Sequence, residues 1–186
     1  MAGQQPADKL FEAAVDANMG RLIALARAML GSPTRDSKSP EDLVQDALLK
    51  LFRQRYAYDW SDGGWSLMAK SVARNVISCR RRKLGQSLDG DEALSDSLGE
   101  VQDPAERIMS EETTALMRAR IEALPETWRQ ALVLREQQGL AYKEIADMMG
   151  ASEAQVKTWL HRARARLLAQ MAEEDRKNRK EPPPDK

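Results

Sequence analysis

Residues 142–167, YKEIADMMGASEAQVKTWLHRARARL, decide the fold. The first eight place Ile145, Ala146 and Met149 on one face of a short helix. Gly150-Ala151-Ser152 follows as a three-residue turn, where glycine accepts the left-handed backbone that ends many helices. Ser152 and, three residues on, Gln155 make a capping box that starts a second helix. Val156, Leu160, Ala163 and Leu167 form its buried stripe, leaving Gln155, Thr158, His161 and Arg162 outward or on the flank. Two helices across a tight glycine turn, the second basic and capped, predict a helix-turn-helix. A helix fits the major groove, its first side chains reach base edges, and nearby cations meet phosphates. An ordinary αα-hairpin with a solvated charged face shares this periodicity. The coincidence of turn, cap and a basic stripe from Lys157 to Arg166 favours DNA.

Outward from this stretch the pattern stays helical. Phe11, Val15, Leu22, Ala26 and Met29 line one face, and Gly31-Ser32-Pro33 stops that helix. Ser39 caps the next, with Pro40 in its first turn and Glu41 and Asp42 at its positive end. Val44, Ala47, Leu48, Leu51 and Arg55 then share a face. After Gly63-Gly64, a third helix carries Met68, Val72, Val76 and Cys79 on one stripe, which makes Cys79 a small core thiol rather than a redox sensor. Asp103-Pro104 opens a helix with Ile108, Leu116, Ile121 and Leu124, and Pro125 begins another that runs to Gly139. No segment alternates with period two, so the expectation is an all-α protein.

The chain has 186 residues, 29 basic and 29 acidic, and the zero sum hides a segregation. Residues 1–85 carry a net +5, residues 86–112 a net −8, and residues 113–170 a net +3. Two basic blocks flank an acidic connector, an asymmetry that points to nucleic acid more clearly than the total does. The connector is rich in Ser, Gly and Asp and reads as a flexible linker; shielding of the two basic faces in the free protein is one expectation for its nine carboxylates, and a path along a larger partner is the other. The expected division is thus two small helical domains, 8–85 and 113–172, a linker 86–112, and a charged tail 173–186. No apolar run reaches membrane-spanning length, the first residues lack a signal-peptide pattern, and one cysteine and one histidine argue against disulfides and ordinary zinc sites. A reducing cytoplasm, no metal and no cofactor are the expectations.

The run 124–170 resembles the promoter-reading C-terminal domain of bacterial RNA polymerase sigma factors, specifically the small two-domain extracytoplasmic-function (ECF) group. The likeness rests on Leu124-Pro125, the Lys143-Glu144-Ile145-Ala146 helix, Val156-Lys157, and His161-Arg162-Ala163-Arg164 with Leu167. Gln155 and Trp159 depart from the group's usual Thr and Arg, the second change removing an expected phosphate or base contact. Ser152, Glu153, Gln155, Lys157, Thr158, His161 and Arg162 are the side chains expected at the upstream (−35) element. For His161, a simple flank position is the rival reading.

The N-terminal half is similar to the same group. Glu41 to Ala47, with Leu49, Leu51 and Phe52, looks like the helix that docks on core RNA polymerase, which implies contacts from Asp42, Leu43, Gln45, Asp46 and Leu49. A solvated amphipathic face is the bland alternative. Val72-Ala73-Arg74-Asn75 and Arg80-Arg81-Arg82-Lys83 resemble the helix that reads the −10 element, where Met68 and Cys79 replace the usual Trp and Asp. From Lys70 to Lys83 inclusive there are six cations and no acid. Asn pairs with adenine edges and arginines hold phosphates, so Lys70, Arg74, Asn75, Arg80, Arg81 and Arg82 are the expected DNA contacts.

Tyr56, Tyr58, Trp60 and Trp65 crowd ten residues beside a glycine loop. Aromatic faces stack on unpaired bases, and the resemblance implies a base-capturing loop here. The expectation is Tyr56 and Trp65 packed, with Tyr58 or Trp60 nearer the nucleic acid. The reading is a sigma factor without catalytic chemistry, with core RNA polymerase and promoter DNA as partners. An anti-sigma partner is common in the resembling group, though no residue demonstrates one. A helix-turn-helix regulator independent of polymerase is the main rival. A sigma-mimicking partner protein would lack the intact Arg80–Lys83 cluster, and a recombinase would need strands and a nucleophile.

Overall fold

The computed structural model describes residues 4–31, 38–83 and 111–178. Every element in them is helical: α1 (Gln4–Leu30), α2 (Pro40–Arg53), a short 3-10 turn (Arg55–Ala57), α3 (Trp65–Lys83), α4 (Glu111–Glu122), α5 (Glu126–Glu136), α6 (Tyr142–Met149) and α7 (Glu153–Asn178). The all-α expectation holds over these residues.

Local chemistry sets the ends. The Ser39 hydroxyl accepts from the Asp42 amide while the Asp42 carboxylate accepts from the Ser39 amide, a reciprocal cap that starts α2 with Pro40 in its first turn. α6 ends at Gly150, in the left-handed region at φ 59°, ψ 46°. Ser152 and Gln155 form the capping box expected for α7: the Ser152 amide donates to Gln155 Oε1 at 2.8 Å, and the Gln155 amide to Ser152 Oγ at 3.2 Å. α7 continues through Asn178, so residues 173–178, expected as tail, prolong the helix. α1 likewise starts ahead of residue 8. The expected linker up to residue 110, and the helix start at Asp103-Pro104, lie outside the described residues.

α1, α2 and α3 pack as a three-helix bundle. Leu22, Met29, Leu43, Leu51, Met68, Val72 and Val76 are fully buried in it. α5, α6 and α7, with α4 alongside, form a second group around Leu134, Ile145, Val156 and Leu160. Cys79 is half-buried and packed against the core, as its stripe suggested.

The two groups meet, which the reading of separate tethered domains did not foresee. α1 packs on α5, α3 on α6. The joint centres on Arg129 of α5, which is 5% exposed. Its guanidinium donates to the carbonyls of Met29 (3.3 Å) and Leu30 (2.8 Å) at the end of α1, and to those of Glu122 and Leu124 (both 2.9 Å) in its own group. A cation at a helix C-terminus meets both orphan carbonyls and the negative end of the dipole. Gly31, at φ 68°, lets the cation approach: a Cβ there would lie 2.6 Å from the Arg129 guanidinium carbon.

Candidate nucleic-acid interface

The helix-turn-helix presents its expected face. Ser152, Glu153, Gln155, Lys157, Thr158, His161 and Arg162 are all exposed, while Val156, Leu160 and Ala163 are buried beneath them. Three of these side chains, Ser152, Gln155 and Thr158, already have local hydrogen-bond partners. Gln155 Oε1 accepts from the Ser152 amide and, at 3.2 Å, from its hydroxyl, and the Thr158 hydroxyl donates to the Ala154 carbonyl at 2.9 Å. The Lys157 ammonium lies 5.7 Å from the Tyr142 ring centroid, and the Arg162 guanidinium 5.9 Å from that of Trp128. Trp159 is half-buried against the core, so it serves packing at the position where a cation was expected.

On α3, Lys70, Arg74, Arg80 and Arg81 are partly withdrawn from solvent. Lys70 Nζ pairs with Glu144 of α6 at 3.0 Å, and Arg80 Nε contacts Glu126 of α5 directly. The Arg81 guanidinium reaches over Gly150, where a Cβ would sit 2.5 Å from its Nη1. Arg74 is half-buried, and its Nη1 finds no hydrogen-bond partner among the described residues. Arg82 is exposed. Burial acts to raise the Glu144 carboxyl, but the Ala141 amide, the Lys70 hydrogen bond and the charges of Lys70 and Arg74 outweigh it. They hold the group below the usual carboxylate range.

Three sequence expectations are corrected here. Asn75 is 4% exposed: its amide donates to the Leu43 carbonyl at 2.8 Å and its Oδ1 accepts from Lys50 at 3.1 Å. It ties α3 to α2 and is not presented to a base edge. Trp60 is 2% exposed, stacked edge-on against Phe11, with its indole N–H donating to the Arg55 carbonyl at 2.7 Å. The outward aromatic is Tyr56, at 47%, where the expectation had it packed, while Trp65 is packed against the core as expected. Tyr58 is half-buried with its hydroxyl on Gln54, and Trp65 is half-buried beneath Arg21. Leu43 is 1% exposed and belongs to the core, so it has no surface to offer a partner.

The remaining α2 face is available. Asp42, Gln45 and Leu49 are exposed, Asp42 sharing its carboxylate with the cap, and Asp46 pairs with Lys38 at 2.5 Å. Leu49, Phe52 and Tyr56 are large apolar groups left in solvent down this side, with Leu10 of α1 also exposed. Arg55 stacks over the Phe52 and Tyr56 rings and contacts Asp8, a network that sequence reading missed because Asp8 lies far off in the chain. The Arg55 hydrogen bond holds the Asp8 carboxyl below its ordinary value.

Comparison with known proteins covers both groups. The model for sigma-70 region 2 matches residues 14–87, and that for sigma-70, region 4 matches residues 114–167. The ECF RNA polymerase sigma-E factor of Escherichia coli (strain K12) is 31% identical over 131 residues, which span 66% of this chain and 69% of that protein. The ECF RNA polymerase sigma factor SigM of Bacillus subtilis (strain 168) is 33% identical over 141 residues, 74% of this chain and 83% of that one. Among solved structures, the sigma factor RpoE in complex with the anti-sigma factor NepR from Bartonella quintana superposes with a TM-score of 0.55 at 21% identity. That match covers 87% of this chain and 96% of RpoE.

Proposed function

From the premise that this chain belongs to the sigma-70 family, as an ECF RNA polymerase sigma factor, we propose how its own residues divide the work. It binds core RNA polymerase and directs initiation at specific promoters. The exposed start of α7 enters the major groove at the −35 element, with Gln155, Lys157, Thr158, His161 and Arg162 facing bases and phosphates. The cations of α3, Lys70, Arg74, Arg80, Arg81 and Arg82, engage the −10 element, with Tyr56 and Tyr58 as the stacking surfaces beside it. Asp42, Gln45, Asp46 and Leu49 of α2 dock on polymerase. The boundaries drawn from charge, 8–85 and 113–172, serve as the −10 and −35 modules. Sigma factors are initiation factors rather than enzymes, and this chain's contribution is binding energy: unpairing is offset by stacking and by cations on the separated strand.

The observation that carries this reading is the exposed, well-capped reading face of α7 in a chain that also has the region 2 match. A polymerase-independent regulator would not require the second. Run-off transcription with purified core polymerase on a randomised promoter library tests it. Sequence-selective transcripts are expected only when the chain is added. Replacing Arg80, Arg81 and Arg82 together by alanine should weaken open-complex formation and flatten its salt dependence. Tight promoter binding without polymerase, and no transcript with it, would favour the regulator.

A further inference from the structure

We propose that Asn18 of α1 is a positioning residue for promoter opening: its buried amide fixes the turn at Gly63 and, through that turn and Trp60, sets the attitude of the Tyr58 ring. The inference rests on reading Tyr58 as a stacking surface beside the −10 element. Asn18 is 6% exposed in the middle of α1, where asparagine is a poor helix former and a buried amide is costly unless bonded. Both hydrogens of that amide are spent. Nδ2 donates to the Ala14 carbonyl at 2.8 Å, and to the Gly63 carbonyl at 2.9 Å, 45 residues away. The first bond stays inside α1. The second accounts for an amide at this position, because it reaches the loop between the 3-10 turn and α3.

Gly63 and Gly64 are consecutive left-handed residues, at φ 79° and 60°, a path that side chains resist. It lays the backbone against the Trp60 indole: a Cβ on Gly64 would lie 2.6 Å from the ring. The Gly63 amide donates back to the Trp60 carbonyl at 3.1 Å. Phe11, seven residues before Asn18 and so on the same face of α1, meets that indole edge-on at 4.8 Å between ring centres. α1 thus grips the loop twice, with a ring at Trp60 and an amide at Gly63. Trp60 in turn carries the half-buried Tyr58 ring edge-on at 6.0 Å. Tyr56 has a separate support, its hydroxyl on Asp8 at 3.1 Å and the Arg55 guanidinium 4.2 Å from its ring centre. Holding the Tyr58 ring in place before a base arrives spares the cost of ordering it at that step. Asn18, being buried, acts through the loop and not on a base.

The test uses the full chain with core polymerase and follows opening of a duplex promoter by 2-aminopurine fluorescence in the −10 element. Asn18→Ser is the perturbation, since a serine hydroxyl still bonds the carbonyl four residues back but does not reach Gly63. Tyr58→Ala should slow opening about tenfold, within the range for one lost stacked base. Asn18→Ser should slow it about fivefold, and the pair together no more than about tenfold, because independent losses would multiply to about fiftyfold. Asn18→Ser with Tyr56→Ala should multiply in full, since Tyr56 does not rest on the loop. Asn75→Ala, which removes a buried amide between α2 and α3, should lose comparable stability in urea without slowing opening. Equal slowing by Asn75→Ala and Asn18→Ser would mark lost stability alone and overturn the positioning role. Full multiplication in the Tyr58 pair, or opening by Asn18→Ser at the wild-type rate, overturns it while leaving Tyr58 its stacking. Opening by Tyr58→Ala at the wild-type rate overturns the stacking reading and the inference with it. If Asn18→Ser loses helicity by circular dichroism, Gly64→Ala, which drives a Cβ into the indole, replaces it in the same comparison.

Discussion

Replacing Arg129 by methionine removes the guanidinium while leaving a side chain of comparable length in the socket. Four carbonyls, those of Met29, Leu30, Glu122 and Leu124, then lose a donor. An unsatisfied buried acceptor costs about 1–3 kcal/mol, so the gross loss is on the order of 4 kcal/mol at the low end. Two effects act against it. Burial disfavours the charge that methionine eliminates, pressing the guanidinium below its ordinary value despite the nearby Glu126 and Glu122. The carbonyls at the end of α1 also regain water if the groups separate. A net destabilisation of about 2–3 kcal/mol is expected, a large share of the roughly 5–15 kcal/mol that holds a typical domain. Urea denaturation followed by helical circular dichroism measures it. Arg129→Lys should fall between, because an ammonium keeps the charge but lacks the planar fork that reaches four acceptors. A loss under about 0.5 kcal/mol, the range of an ordinary surface substitution, would refute the reasoning that this cation organises the joint.

Other outcomes follow from the same geometry. Asn75→Ala should cost about 1–3 kcal/mol in thermal or urea unfolding, because it strands the buried Leu43 carbonyl, and should leave the −10 base preference of transcripts unchanged. Ser152→Ala removes the α7 cap and should cost about 1 kcal/mol by denaturant titration. Lys157→Ala should weaken −35 binding by the holoenzyme evenly across sequences and reduce the salt slope by about 1, read by filter binding over a salt series. The Glu144 carboxyl is lowered in the folded chain from an ordinary value of 4.5. Its contribution is therefore complete above pH 4.5 and is lost as pH falls through the folded value. An acid titration of wild type against Glu144→Gln should converge in that acidic window and diverge above it.

Much of the architecture was legible because it is local. The cap at Ser39, the eight-residue α6, the Gly150 elbow and the Ser152–Gln155 box depend on residues within four positions of each other, and each is found where the pattern put it. What was not legible depends on distance along the chain. Asn75 carries the chemistry of a base reader, and only the placement of Leu43 and Lys50 shows that its hydrogen bonds are spent inside. Trp60 and Tyr56 are four residues apart in one aromatic cluster, and the packing of Phe11 from α1 decides which is covered. Leu43 shared a docking segment with exposed neighbours, yet the bundle needs it as core. Arg129 gave no sequence signal as a joint, since the acceptors it reaches across the joint, the Met29 and Leu30 carbonyls, are backbone atoms about a hundred residues away.

Substitution along α1 leaves the grip of Arg129 in place. One half of the joint is written entirely in main chain, so the identities of Met29 and Leu30 are irrelevant to what Arg129 grips. Alanine scanning along α1 would register hydrophobic losses and pass over the grip altogether. Variation among homologous chains at those two positions would be equally uninformative, because the partner of Arg129 is the trajectory of the polypeptide, which no single codon encodes.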